Sequence, residues 1–284
     1  MKLSVLSLVY NRPRHVAFFL RALALSTRRP DEVVLADDGS GEEAFRAMEA
    51  AAAAAPFPVK IVRQERSGAR RAAGRNLAIR AAGGDYLVFF DCDMAPLPDA
   101  VAVHEARARP RRVLEGNRFF LDERETDALF LLDNISAADL EHAFASADGA
   151  EARAAEAAHR KAMAWRKWHL ARPHKPKLLG CHFSLFKEDA ERVNGFDENF
   201  TGWGYEDDDF ARRLYRAGVE PESVILRARA LHLFHPSEAP KTGTRHRDRP
   251  NRAYFRRWFV PVRCRNGLAG QGGEVCRHPA RGRM

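Results

Sequence analysis

Short apolar runs alternate with stretches of helical spacing through the first third of the chain. Residues 3–9, LSVLSLV, suit a strand buried on both faces, and PRHVAFFLRALALS (13–26) follows with helical periodicity and Pro13 near its start. The pattern repeats with DEVVLADD (31–38) as strand, EEAFRAMEAAAAAA (42–55) as helix, VKIVR (59–63) as strand, ARRAAGRNLAIRAA (69–82) as helix and DYLVFFDCD (85–93) as strand. Such alternation predicts an α/β fold, a mostly parallel sheet with helices on both faces. Further on, RVLEGNRFF (112–120) predicts one strand, and 178–198 a strand and a short helix. A helix is expected over about 206–217, and ESVILRARALHLFHP (222–236) predicts a last strand ending in His232 and His235. From about Ser136 to Arg172 the chain turns alanine-rich and charged, which predicts one or two inserted helices. Trp165, Trp168 and His169 fall together on one face there, and core packing is the default for such a group.

In parallel sheets, ligands bind outside the carboxyl ends of the strands. The polar clusters fall at those ends: Asn11 and Arg12 after the first strand, Asp37 and Asp38 after the second, and Asp91 and Asp93 after YLVFF. Asp91 and Asp93 are separated only by Cys92. A buried carboxylate pair is costly without a cation, and hard divalent ions such as Mg²⁺ or Mn²⁺ bind carboxylate oxygen while keeping positions for substrate phosphates.

The segment GFDENFTGWGYEDDDFARR (195–213) holds four consecutive acids, Glu206, Asp207, Asp208 and Asp209. A helix start accounts for part of this, because acids in a first turn meet unpaired N–H groups and the positive end of the macrodipole. Asp208 with Arg212 and Asp209 with Arg213 make i, i+4 pairs, and Gly218 suits a helix stop. Glu206 and Asp207 find no basic partner one turn on. They follow Trp203, Gly204 and Tyr205, aromatic surface and bare backbone of the kind that lines a sugar pocket.

With 284 residues, 45% of them hydrophobic and 30% charged, the chain can bury the core of one large domain or two small ones. No apolar run approaches the roughly 20 residues needed to span a bilayer, and the opening MKLSVLSLVYNRPRH looks like strand and turn rather than a signal peptide. A cytoplasmic protein is expected. Cys92, Cys181, Cys264 and Cys276 lie far apart with no CxxC pair, so reduced thiols are expected rather than a zinc site or disulfide framework. The net charge of +9 is uneven, for residues 241–284 hold 12 Lys and Arg against 2 acids.

In their order and spacing, LSLVYNRP, VVLADDGS, ARRAAGRNLAIRAAGGDYLVFFDCDM and NGFDENFTGWGYEDDDFARRL resemble the nucleotide-sugar glycosyltransferases of family 2, which have the GT-A fold. GWGYEDDD also resembles the GWGGEDDD motif of β-1,4-galactosyltransferases and of bacterial chondroitin-type polymerases. The resemblance implies a catalytic domain over residues 1–240, with 136–172 as a helical insertion on the acceptor side and 241–284 as a basic extension. It implies inverting transfer from a nucleotide sugar, usually a UDP-sugar, to a glycan or lipid-linked glycan, with a divalent metal on the diphosphate. Carried over by position, Asn11 and Arg12 would line the nucleotide, Asp37 or Asp38 would contact the uracil, and Arg75 would lie near the nucleotide or its phosphates. Asp91 would face ribose or metal, and Asp93 would bind the metal. Glu206 would hold sugar or acceptor hydroxyls, and Asp207 would be the general base. One of His232 and His235 would complete the metal site, with His232 favoured. Tyr10 stands where the galactosyltransferases have arginine, so nucleotide contacts there would differ. Donor specificity would depend on the pocket around Trp203, and Trp165, Trp168 and His169 have an acceptor-side wall as their second reading.

The competing enzyme classes fit less well. A haloacid-dehalogenase phosphatase places its Asp-x-Asp on an early strand followed by Thr or Val, whereas Met94 and Ala95 follow here. The P-loop pattern GxxxxGK[ST] is absent, and VYNRPRH stands where a nucleotidyltransferase would carry a glycine-rich phosphate loop. The tail RHRDRPNRAYFRRWFVPVRCRNGL mixes Tyr254, Phe255, Trp258 and Phe259 with arginines. It has three readings: packing on the domain with a solvated basic face, an interfacial segment on an anionic membrane, or a nucleic-acid contact of a non-catalytic binding module. The last is the weakest of the three.

Overall fold

The computed structural model describes residues 1–236, 250–269 and 275–276. Its first part follows the expected alternation: β1 (Leu3–Val9), α1 (Pro13–Ala24), β2 (Glu32–Asp37), α2 (Glu42–Ala54), β3 (Val59–Arg63), α3 (Arg71–Ala81) and β4 (Tyr86–Phe90). β5 (Met94–Pro96), α4 (Ala100–Arg107), β6 (Arg112–Glu115), β7 (Phe119–Phe120), α5 (Glu123–Phe130), α6 (Ala137–Ser146) and α7 (Ala150–Lys167) come next. The remainder is β8 (His182–Phe186), α8 (Lys187–Arg192), α9 (Glu206–Arg216), β9 (Glu220–Ser223), β10 (Ala230–His232), α10 (Pro250–Phe255) and β11 (Val275–Cys276).

The main sheet has the order β11-β3-β2-β1-β4-β8-β6-β9. β1 pairs parallel with β2 and β4, while β8 runs antiparallel to both β4 and β6. Alternate residues of β1 show why the strand is apolar throughout: Leu3, Val5 and Val9 join Phe19, Leu23 and Met48 of α1 and α2, whereas Leu6 joins Leu77 and Ile79 of α3 and Phe210 and Leu214 of α9. Burial on both faces is what a central parallel strand requires.

Two predicted single strands are in fact divided between sheets. RVLEGNRFF breaks at 116–118 into β6 of the main sheet and β7 of a three-stranded sheet, β5-β10-β7. ESVILRARALHLFHP likewise breaks into β9, which pairs with β6, and β10, which pairs with β5 and β7. Its apolar residues serve different cores: Val224 packs with Leu114, and Leu231 with Phe18 and Leu97. The insertion forms α6 and α7 as expected, and a capping box of Ser136 and Asp139 starts α6. Trp165 and Trp168 are exposed, which overturns their default assignment to the core. Cys92, Cys181 and Cys264 are buried free thiols.

Candidate active site

Sheet register brings Asp93 and the histidines together. β10 runs antiparallel to β5 so that His232 lies opposite Met94, and the Leu233 amide donates to the Asp93 carbonyl at 2.8 Å. The chain then turns His235 back, with its Nε2 3.0 Å from Asp93 Oδ2, while His232 Nε2 lies 3.8 Å from Oδ1. Ligand atoms of all three residues fall within 4.8 Å of one another. Asp93 Oδ1 is buried and has no hydrogen-bond partner. Burial opposes ionisation of Asp93, but the hydrogen bond with His235 and the nearby His232 outweigh it and hold the carboxyl well below its usual range. Burial pushes His232 down to about 4, so its imidazole is neutral at physiological pH, with a lone pair for a metal. One carboxylate and two imidazoles with an unmatched buried oxygen form a donor set suited to a divalent cation. Both histidines belong to the cluster, His235 lying nearer to Asp93 than His232 does.

The four acids of α9 divide by environment. Asp209 is buried and structural: Arg213 Nε meets it at 2.7 Å and an Arg212 Nη at 2.6 Å, the Arg212 contact replacing the expected pair with Asp208. Helix α9 ends as Gly218 suggested, with φ of 78° and a pair of reverse hydrogen bonds, Gly218 N to Tyr215 O and Val219 N to Leu214 O. Glu206 is buried and paired across 131 residues with Arg75, at 3.0 Å. Burial disfavours its charge, but Arg75 and Arg71 more than compensate and keep it ionised. Among the described residues Asp207 has no such partner. Burial, then the charges of Glu206 and Asp208, raise its pKa to about 6. The Gly180 amide points at its Oδ2 from 3.3 Å, at the entry to β8.

Arg75 is itself buried and lies between Glu206 and Asp91, 3.7 Å from the latter. It thus stands beneath the carboxylates rather than open to a nucleotide. Asp91 is half-buried, and burial raises its pKa against the pull of Arg75. Asp37 accepts from the Ser40 amide at 3.1 Å and faces Arg63 Nε at 3.1 Å. Asp38 accepts from Arg66 at 2.8 Å and from the Arg70 amide at 3.2 Å. Asn11 takes a left-handed φ of 48° and bridges to the same turn, receiving the Gly41 amide at 2.8 Å. The Arg66 guanidinium lies over the Tyr10 ring at 3.6 Å, and Arg12 is half-buried close enough for its charge to bear on Asp93.

Trp203 is exposed on a turn where Gly202, Gly204 and Tyr205 all have positive φ, 75°, 101° and 72°. Tyr205 is strained there, since a side chain disfavours that region. A part of the tail supports the turn: Asn251 Nδ2 donates to the carbonyls of Thr201 and Gly204 at 2.8 and 2.9 Å, and Phe255 stacks on Tyr205 with ring centres 5.1 Å apart. Gly180, Arg71 and Asn251 escaped the sequence reading. Each acts across a long sequence separation, and only the strand entry at LLGCH offered a local sign for Gly180.

These features lie at the carboxyl edge of a sheet of the GT-A fold. The chain belongs to glycosyl transferase family 2: residues 4–113 match that family's model, and residues 160–236 match a galactosyltransferase domain model. Chondroitin synthase of Escherichia coli is 32% identical over 84% of this chain, which spans about a third (36%) of that relative's length. Among solved structures, S. aureus TarS in complex with UDP-GlcNAc has a TM-score of 0.58 at 15% identity, covering 86% of this chain and 62% of its own. The mannosyltransferase PcManGT of Pyrobaculum calidifontis, in complex with GDP-Man and Mn²⁺, has a TM-score of 0.57 at 19% identity, covering 84% and 58%.

Proposed function

We propose that this chain transfers a sugar, with inversion, from a UDP-sugar to a hydroxyl of a glycan or lipid-linked glycan. The observation that carries the reading is the Asp93–His232–His235 cluster and its unmatched Asp93 oxygen at the carboxyl edge of the sheet. Asp93, His232 and His235 would hold the metal. Two imidazoles in the set favour Mn²⁺ over Mg²⁺, and the Mn²⁺ and GDP-Man bound to the P. calidifontis enzyme support a metal beside the donor. When bound, the ion stabilises charge on the departing diphosphate.

The protein's own groups would do the rest. Asp207, with a pKa near 6, is ionised at neutral pH and takes the proton of the attacking hydroxyl. Glu206, fixed by Arg75, receives sugar or acceptor hydroxyls, and Arg75 acts through Glu206 and Asp91 as a positioning residue. Tyr10, Asn11, Arg12, Asp37, Asp38 and Asp91 line the nucleotide side, where the Arg66 guanidinium covers one face of the Tyr10 ring. Trp203 borders the donor sugar. A lipid-linked acceptor would be met at the inner face of the cytoplasmic membrane. Trp258, 99% exposed, and Phe259 supply aromatic surface for that contact beside exposed Arg256, whereas Phe255 is already used against Tyr205. No helix among the described residues is long and apolar enough to cross a membrane. The remainder of the tail, with the arginines of 237–249 and 277–284, lies outside the described residues, as does 270–274.

Calorimetric titration of UDP and of GDP, with and without Mn²⁺, tests the reading alongside Asp93→Ala. Metal-dependent UDP binding that disappears in the variant is expected. Absence of binding by either nucleotide under every condition would remove the enzyme reading, and preference for GDP would change the donor. Liposome flotation with and without residues 241–284 tests the membrane contact, which equal flotation would exclude.

A further inference from the structure

A cavity of about 600 Å³ lies between α7 and the segment leading into β8. Its helical wall is made of Ala154, Ala158 and Ala162, three residues at i, i+4 spacing whose small side chains leave the space open. Trp165 lines one part of it with 49% of its surface exposed. His159, also in the wall, is buried and gives its Nδ1 to Glu115 at 2.7 Å, which leaves Nε2 for the cavity. The Tyr215 hydroxyl donates to Glu115 Oε1 at 2.5 Å and lies 3.1 Å from the Pro176 carbonyl, so a buried polar cluster ties the helix, the sheet and the opposite wall into one shape.

The charges around this cavity are one-sided. Lys161, Arg172, Lys175 and Lys177 all line it, and among the described residues none of them has a carboxylate partner. Of the two acids in the lining, Glu115 is taken by His159 and Tyr215, and Glu151 faces Arg118 at 3.7 Å. The cavity is adjacent to the candidate base. Leu179 lines it and precedes Gly180, whose amide meets Asp207, and the charge of Lys177 is felt by Asp207.

We propose that this cavity is the acceptor subsite and takes an anionic saccharide, its ring against Trp165 and the alanine wall and its carboxylate or phosphate among Lys161, Arg172, Lys175 and Lys177. The inference rests on the proposed transferase activity, for it needs Asp207 to be the group that the acceptor hydroxyl approaches. A sugar ring offers axial C–H surface to an aromatic face, and cations without carboxylate partners, Lys161 over the Trp165 ring at 5.0 Å among them, focus an attractive field on an anion in a concave site. A neutral acceptor would leave these cations crowded together without compensation.

Binding of methyl β-glucuronide, methyl β-glucoside and methyl β-glucoside 6-phosphate to the full chain, followed by saturation-transfer NMR and tryptophan fluorescence, tests this directly. At least one anionic probe is expected to bind tenfold or more tightly than the neutral glucoside, with the advantage shrinking as salt rises. Whichever anion binds tighter identifies the source as uronate or sugar phosphate. Ala158→Leu, which pushes three more carbons from the helical wall into the cavity, and the surface double variant Lys175→Gln/Lys177→Gln should each lose the preference while binding UDP and Mn²⁺ as the wild type does. Equal binding of all three probes, or anion binding unaffected by Ala158→Leu, would overturn the inference. If UDP binding persists while anion preference is absent, this inference alone fails; if UDP binding is also absent, the transferase reading fails with it.

Discussion

Asp207 is placed where its charge costs the fold something, and replacing it by asparagine should therefore separate stability from activity. Its carboxyl moves from an ordinary 3.8 to about 6. Between those values the native state keeps a proton that the unfolded chain releases, so this group makes the protein less stable as pH rises through that window. Below 3.8 the penalty is absent; above 6 it is complete, and amounts to about 3 kcal/mol before solvent screening of a half-buried group, or ~1–3 kcal/mol after it. Asp207→Asn escapes the penalty at neutral pH. It also weakens acceptance from the Gly180 and Asp208 amides, a loss of about 0.5–1.5 kcal/mol. The variant should be about 1–2 kcal/mol more stable than the wild type at pH 7.5 and no more stable at pH 4.

Urea unfolding of both proteins at pH 4, 5, 6 and 7.5, in chelator and without nucleotide, measures this, and the other carboxylates cancel in the comparison because both chains carry them. Activity should respond oppositely. The variant should transfer at less than about a tenth of the wild-type rate, and the wild-type rate should fall about tenfold between pH 7.5 and pH 5 as Asp207 takes up its proton. A stability difference that stays constant from pH 4 to 7.5 would refute the burial argument, and a variant with more than a tenth of normal activity would refute the role of base.

Arg75→Met should destabilise the fold by about 3–5 kcal/mol, because Glu206 is left buried without its cation; a change under about 1 kcal/mol in urea unfolding, together with lost UDP binding, would show Arg75 to be a nucleotide contact instead. In Gly180→Ala the new Cβ would lie 2.6 Å from an Arg75 Nη atom, so a cost of about 1–3 kcal/mol and a fall in transfer rate are expected, and wild-type behaviour in both would contradict the packing. Asn251→Ala removes the two hydrogen bonds that hold the Thr201 and Gly204 carbonyls, and should cost about 1–3 kcal/mol and speed amide hydrogen exchange over 201–206, while exchange in α3 stays as it was.

The alternation from β1 to β4 was legible because a strand buried on both faces must be apolar throughout, and the helices between strands carry their own period. Asp93 was legible for the related reason that a carboxylate at the end of such a strand has a fixed edge to emerge from. Direction and sheet membership carry no such mark. β8 has the composition of its parallel neighbours yet runs against them, and the breaks within RVLEGNRFF and ESVILRARALHLFHP leave the hydrophobic pattern almost continuous while the chain crosses from one sheet to the other.

The partner of Glu206 was invisible for a different reason. Local spacing can propose i, i+4 pairs, which contribute about 0.2–0.5 kcal/mol each, and Asp209 does pair with Arg213, but Glu206 draws on Arg75 from α3, and Asp209 adds Arg257 from the tail at 3.3 Å. The division of the four acids follows from this. Those acids that obtained cations from elsewhere became fixed parts of the structure. Asp207 obtained two backbone amides, no close cation among the described residues and the repulsion of Glu206 and Asp208, so burial raises its affinity for a proton. The property that would suit it to the proposed role of base thus comes from its burial and from the motif's own acids, once Arg75, which the motif does not contain, has fixed Glu206 in its charged form.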